Sequence, residues 1–251
     1  MKAAILTIGT EITSGEIVNR NAADLAQKLE SVNIETLMHI SVPDEKHLIL
    51  NALNSLEQIA DLIIVTGGLG PTSDDFTRYV IADYAGVDLF FDKAVYKELE
   101  EKLQNRGRKI REGHKNQCYF PVGAKLLPNP AGHALPFQLN IKNKRLYVLP
   151  GPPREIESIW NLALQSELQK LNIKKESYLF KWKCFGKGES EFAEIVEAIF
   201  ADSGFKIGYR ATVPNVIIKV WVPETKMHLK EKYFSEFENQ MKNFIVSNDT
   251  Q

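Results

Sequence analysis

Two cysteines, Cys118 and Cys184, are all that the 251 residues contain. Far apart in the chain, they form neither a zinc-ligand spacing nor a disulfide framework. They read as small buried side chains of a cytosolic protein whose thiols stay reduced. Long apolar runs are missing as well: no stretch approaches the roughly 18 residues of a membrane span. The opening apolar segment is short and meets Glu11 too early for a secretory leader. Neither charge sign is in excess, with 31 Lys and Arg against 32 Asp and Glu and a formal net charge of −1. Indiscriminate nucleic-acid binding needs a net basic face and is not expected, which leaves room for a local anion site. What is present is a 44% hydrophobic, 25% charged chain, the composition of a soluble globular protein. At about 150 residues per domain, the length suggests one large domain, alone or with a smaller one. That is enough chain to bury a core without staples.

The first two-thirds alternates strand and helix signals. Ala3–Ile8, Glu35–Val42, Asp61–Thr66 and Arg145–Leu149 read as strands, the third with the two-faced apolar pattern of a central parallel strand. Helical spacing fits Ala22–Val32, with Asn21 as a candidate cap, then Lys46–Ala60, Ser73–Ala85, Asp92–Asn105 and the stretch from Pro153 to Leu171. From Arg106 to Lys144, proline and glycine punctuation predicts loop with short strand pieces. Such alternation argues for a parallel, helix-covered sheet. The last third differs. Strands at Tyr178–Phe185, Lys206–Thr212 and Val216–Val222, with helices at Ser190–Asp202 and Thr225–Val246, make a small β-α-β-β-α unit. The polar Lys170–Glu176 connection sets expected domains at 1–170 and 171–251.

The strongest chemical signal is Gly67-Gly68-Leu69-Gly70-Pro71-Thr72-Ser73-Asp74-Asp75. Glycines after a buried strand let backbone N–H groups turn toward a ligand, and a following helix start adds donors for a phosphate. The spacing fits neither a Walker A loop nor the dinucleotide fingerprint. The plainer alternative is a strand-to-helix turn capped by Thr72 or Ser73. Gly9-Thr10-Glu11 follows the first strand and leads to Asn19 and Asn21, and Asp44 ends the second strand. Asn19, Asn21 and Asp44 are also candidate helix caps. Pro150-Gly151-Pro152 ends the last strand, followed by Arg154 as a candidate phosphate contact. Strand ends of one parallel sheet open into one crevice. Carboxylates converging there suit a hard divalent cation that bridges phosphates. His114 and His133 lie in the irregular region as candidate pocket residues; no G-x-S-x-G elbow or triad is present.

In their order and spacing, GTEI, SGEIVNRNAADLAQKL, VPD, TGGLGPTSDDFT, FPVGAKLLPNPAG and LPGPPREI resemble the N-terminal module of the competence/damage-inducible CinA family. The tail, with Gly186-Lys187-Gly188-Glu189, resembles the KH-like domain that follows it. The resemblance implies a three-layer α/β/α fold of the molybdopterin-binding type, with a mostly parallel sheet and a second, smaller α+β domain. It also implies a divalent-metal-dependent pyrophosphatase acting on ADP-ribose or a related nucleotide diphosphate, a homodimer, and a cytoplasmic setting. Many members carry a further nicotinamide mononucleotide deamidase domain. None of these residues matches it, so a separate deamidase chain becomes a candidate partner. The chain departs from the family at Lys115-Asn116, where a lysine is usual one position later, and at Gly132-His133-Ala134-Leu135-Pro136.

The expected site follows. Asp44, Asp74 and Asp75 are the candidate catalytic acids. Asp44, Asp75 and Glu11 are the metal ligands, for an ion of the Mg or Co type, with a monovalent cation such as potassium as a second candidate. Gly9, Thr10, Glu11, Asn19, Asn21, Gly67, Gly68, Gly70, Pro71, Thr72, Lys115, Gly132, Pro150, Gly151 and Pro152 are the candidate substrate contacts. Two rival functions are kept: a molybdopterin-type binding or adenylyl-transfer protein, and a nucleotide-binding module without catalysis. RNA is not expected on the tail, because a KH domain clamps RNA with a G-x-x-G loop and only Gly186-Lys187-Gly188 is present.

Overall fold

A computed structural model describes residues 1–105 and 107–250. The chain divides into two compact units, Met1–Ile173 and Lys174–Gln251. The first begins with β1 (Lys2–Ile8), a short α1 (Thr10–Thr13), α2 (Arg20–Glu30), β2 (Glu35–Val42), α3 (Lys46–Glu57), β3 (Leu62–Thr66) and α4 (Thr77–Ala85). It continues through β4 (Leu89–Phe91), α5 (Lys93–Asn105), α6 (Glu112–Asn116), β5 (Tyr119–Pro121), β6 (Lys125–Leu126), β7 (Phe137–Ile141) and β8 (Lys144–Leu149). Helices α7 (Pro153–Ile159) and α8 (Gln165–Gln169), joined by a π-helical stretch at Trp160–Leu164, close it.

Strand periodicity builds the three layers. In β1, Ala4, Leu6 and Ile8 enter one apolar cluster, while Ala3 and Ile5 enter the other. Ile63 and Val65 against Leu62 and Ile64 in β3, and Leu146 and Val148 against Tyr147 and Leu149 in β8, divide the same way. Ile49, Leu53 and Leu56 of α3 and Val80 and Ile81 of α4 cover one face. Leu25 and Leu29 of α2, with Ile156, Ile159 and Trp160, cover the other. The sheet order is β2-β1-β3-β8-β7-β6. The first four strands are parallel, and β7 and β6 are antiparallel additions. The chain leaves β1 toward β2 and then returns to β1's other side as β3. The crevice beyond the carboxyl ends of β1 and β3 is therefore a topological switch point, the usual ligand position in open α/β sheets.

The second unit comprises β9 (Ser177–Phe185), α9 (Glu189–Phe200), β10 (Lys206–Thr212), β11 (Asn215–Pro223), a 3₁₀ turn at Glu224–Leu229, α10 (Lys230–Met241) and β12 (Ile245–Thr250). Its sheet runs β10-β11-β9-β12, antiparallel throughout. The expected final helix to Val246 ends at Met241, and Ile245–Thr250 instead joins β9 as an edge strand. The apolar stripe does reach Phe244, but that residue packs on Phe192 and accepts from Phe185 N–H, which turns the chain into the sheet.

Both cysteines are buried, and burial raises each thiol to a pKa of about 11. A protonated, enclosed thiol is a poor nucleophile. Neither is expected to react with DTNB at pH 8 until denaturant is added. Rapid release of one equivalent of dye from the folded protein would contradict their buried role. Among the described residues, no helix is long and apolar enough to cross a membrane.

Candidate functional site

The glycine loop is held from behind. Gly67 (φ +103°) and Gly68 (φ +65°) take backbone conformations that L side chains rarely adopt. A Cβ on Gly67 would stand 2.1 Å from the Ile8 carbonyl oxygen. Gly67 N–H donates to Leu149 O at 3.1 Å, which ties the ends of β3 and β8 together. The Thr77 hydroxyl donates to Gly67 O at 3.0 Å, and Thr77 N–H to Gly68 O at 3.2 Å. Leu69 O accepts from Arg78 Nη1 at 2.9 Å and Gln117 Nε2 at 3.2 Å. Gly113 of α6 lies so close that a Cβ there would be 2.3 Å from Pro71 O.

The two aspartates do not stand on a helix, as the sequence suggested. Asp75 folds back and accepts from Gly70 N–H at 2.8 Å and Thr72 N–H at 2.9 Å. The Thr72 hydroxyl bonds to both Asp74 and Asp75. This capture keeps residues 70–75 in a loop, so α4 starts at Thr77 rather than Ser73. It also occupies two of the amides expected to face a phosphate. Gly68 and Leu69 N–H have no backbone acceptor among the described residues. The Thr72 hydroxyl holds the Asp74 carboxyl below its ordinary pKa.

The neighbouring strand ends supply the rest. Asp44 does not cap α3; Glu45 holds that position. Its Oδ2 accepts from Thr10 N–H at 2.8 Å and the Thr10 hydroxyl at 3.0 Å, joining the β1 and β2 termini. Asn19, not Asn21, caps α2, its Oδ1 accepting from Ala22 N–H at 3.1 Å. Its amide also donates to Thr7 and Ser41 hydroxyls at 3.0 Å each. Asn21 donates to Gly151 O at 2.7 Å and anchors the Pro150–Pro152 turn.

Together these segments enclose a cleft of about 1850 Å³. Gly9, Glu11, Asn19, Asn21, Asp44, Gly67, Gly68, Gly70, Pro71, Thr72, Asp74, Asp75, Pro150, Gly151 and Pro152 all line it, as do His114 and His133. Three expected contacts are not brought to its wall. Thr10 sits behind Asp44. Lys115 turns to Glu112, at 2.8 Å. Gly132 packs under Glu155, where a Cβ would stand 2.1 Å from Oε2. Arg154 is exposed and is not among the lining residues. The cationic wall that the sequence reading missed comes from Arg20, Arg108, Lys109 and Arg111. The signal was available in the run from Arg106 to Arg111, whose first residue lies outside the described residues.

Arg78 was also missed. The residue is 1% exposed, and its guanidinium lies 5.6 Å over the Phe120 ring and has no acceptor for Nε or Nη2 among the described residues. Burial lowers its pKa to about 10. It supports the loop through Leu69 rather than lining the cleft.

A divalent cation fits only part of the expected ligand set. Among the described residues, no three His, Cys, Asp or Glu side chains group closely enough to hold a metal, so Asp44, Asp75 and Glu11 form no ready cage. Both Asp75 oxygens already take loop donors. Asp44 receives its donors on Oδ2, which leaves Oδ1 for a cation. All-oxygen donors at this density suit an Mg-type ion, which binds through one or two carboxylates, keeps waters, and takes its other ligands from phosphate.

A parallel sheet with acids, a glycine loop and a cationic wall at its switch point is an α/β fold with its ligand crevice at the strand ends. Residues 4–170 match the family model described as "Probable molybdopterin binding domain", and the chain belongs to that family. It is 34% identical over 251 residues to a competence-damage inducible protein of Clostridium perfringens, covering 99% of this chain and 60% of the relative. It is 36% identical over 237 residues to a namesake from Clostridium botulinum, covering 94% of this chain and 56% of the relative. The chain thus spans somewhat over half the length of these curated relatives. A solved CinA protein of unknown function from Thermoplasma acidophilum superposes with a TM-score of 0.61 at 27% identity, covering 67% of this chain and 99% of that one.

Proposed function

We propose that the cleft hydrolyses a nucleotide pyrophosphate, with ADP-ribose as the favoured substrate and a divalent cation of the Mg or Co type as the metal. One observation carries the reading: Asp44 and Glu11 line the same cleft as the glycine loop and the cations Arg108, Lys109 and Arg111. A diphosphate carries enough negative charge to need both a cation and basic side chains, and its bridging P–O bond lies between them. Asp44, with Glu11 or Asp74, would hold the metal, which when bound offsets phosphate charge and lowers the pKa of a water. Gly68 and Leu69 N–H groups orient one phosphate, and the basic wall steadies charge on the other as the bond breaks. Water adds to one phosphorus, the P–O bond to the bridging oxygen breaks, and ADP-ribose yields AMP and ribose 5-phosphate. The nucleophile's second proton passes to solvent or to a cleft carboxylate.

Purified protein incubated with ADP-ribose and Mg²⁺ or Co²⁺ is expected to release AMP in a metal-dependent manner. No AMP with any divalent cation would overturn the reading. The family match at residues 4–170 favours a second reading, adenylyl transfer to a pterin thiolate. Copurifying pterin, or AMP transfer to a thiolate in place of water, would shift the assignment to it.

A further inference from the structure

Charge in the second unit is uneven: α10 mixes Lys230 and Lys232 with Glu231, Glu236 and Glu238, but α9 does not. Helix α9 carries Glu189, Glu191, Glu194 and Glu197 and no Lys or Arg. Both helices pack on one sheet face, where Phe180, Trp182, Cys184, Val216, Ile218 and Val220 meet Phe192, Val196 and Phe237 in one core. Strand alternation places the other residues of β9, β10 and β11 on the opposite face, which no helix of this unit covers. Cross-strand register arranges that face in three rows: Arg210–Ile217–Lys183, Gly208–Lys219–Lys181, and Lys206–Trp221–Leu179. Every row carries a cation. Lys219 stands directly opposite Lys181 in the register.

Two aromatic rings on the face are at least partly accessible, while Leu179 is buried. Phe185 is 53% exposed. Trp221 is partly exposed, with Gly208 beneath its ring, where a Cβ would stand 3.0 Å from the indole. Lys206 Nζ lies 5.3 Å from the same ring centroid.

Against the expectation drawn from the missing G-x-x-G loop, we infer that this sheet face, and not that loop, binds a single-stranded nucleic acid, its phosphates on Lys183, Lys206, Arg210 and Lys219 and a base stacked on Trp221. Rows on one face repeat every second residue, about 7 Å apart, a step comparable to one nucleotide of an extended strand. Cations interleaved with aromatic rings on an open surface fit a strand that offers alternating charge and π-faces. An acidic polypeptide would satisfy the cations but has no use for the ring. The assignment is independent of the pyrophosphatase reading, because none of these residues lines the first unit's cleft.

The test is fluorescence anisotropy with end-labelled oligo-dT and oligo-U of about 12 nucleotides, using the full chain in about 50 mM salt with excess inorganic pyrophosphate to occupy the cleft. Micromolar binding is expected, with a salt slope of about −2 to −3 for three or four phosphates. Tryptophan fluorescence should be quenched, since Trp160 and Trp182 are buried and Trp221 alone can meet a base. Lys183→Glu with Arg210→Glu is expected to weaken binding at least about tenfold while leaving thermal unfolding and AMP release unchanged. The milder Lys183→Gln/Arg210→Gln pair should fall between and covers any folding defect of the reversal. No anisotropy change up to about 100 µM protein would overturn the inference, well above the expected Kd. So would binding insensitive to both pairs, or equal competition by poly-glutamate without quenching, which would assign the face to an acidic protein.

Discussion

Asp44→Asn is expected to lower AMP release by about a hundredfold to a thousandfold, the scale of losing one charged group at a reacting phosphate, with little loss of stability. The asparagine carbonyl still accepts from Thr10 N–H and hydroxyl, so the β1–β2 junction persists. Only the negative charge that faces the cleft is lost. Asp75→Asn should behave differently. Asp75 receives donors on both oxygens, and an amide offers one acceptor and turns its NH₂ toward the other donor. That mismatch costs about 1–3 kcal/mol and releases the loop, so stability and activity fall together. Steady-state rates and denaturation curves on both variants separate the roles. Activity within about threefold of wild type for Asp44→Asn, against the expected hundredfold loss, would remove Asp44 from the chemistry.

Gly67→Ala is expected to be the most damaging single methyl group in the first unit. The left-handed backbone alone costs about 1–2 kcal/mol. The new Cβ would also stand 2.1 Å from Ile8 O, a strand carbonyl that cannot move without shifting β1. A total of about 3 kcal/mol corresponds to roughly 6–12 °C in the unfolding midpoint of a domain this size, and the displaced loop should abolish activity. Gly15→Ala serves as the control. Its φ is +80° but nothing lies within 4 Å of the added Cβ, so it should lose only about 1–2 kcal/mol from the backbone. Equal effects at both positions would show that the close approach of β1 and β3 does not matter.

The sheet was legible because its central strands are apolar on both faces, and so was the crevice, because parallel strands deliver their ends to one edge. What escaped the sequence was chosen by tertiary contacts. Ser73-Asp74-Asp75 reads as a helix start, but Asp75 prefers two amides already turned inward by Gly70 and Thr72. Ile245–Thr250 lacks a strand signal strong enough to oppose the helical stripe before it, and its pairing with β9 is non-local. Lys115 was named from its position in a motif, yet Glu112 one turn earlier holds it away from the cleft. Arg108, Lys109 and Arg111 sit in an irregular stretch without periodicity, and only the fold shows which wall they form. The −1 net charge concealed the local bias in the second unit, where α9 carries only acids and β9–β11 carry Lys181, Lys183, Lys206, Arg210 and Lys219.

The most direct test of the cleft assignment is a crystal structure with ADP-ribose and a slowly reacting divalent cation. The diphosphate is expected between the Gly67–Thr72 loop and Arg108–Arg111, with the cation bridging it to Asp44. A nucleotide lying outside this cleft, or a cation bound without Asp44, would contradict the assignment.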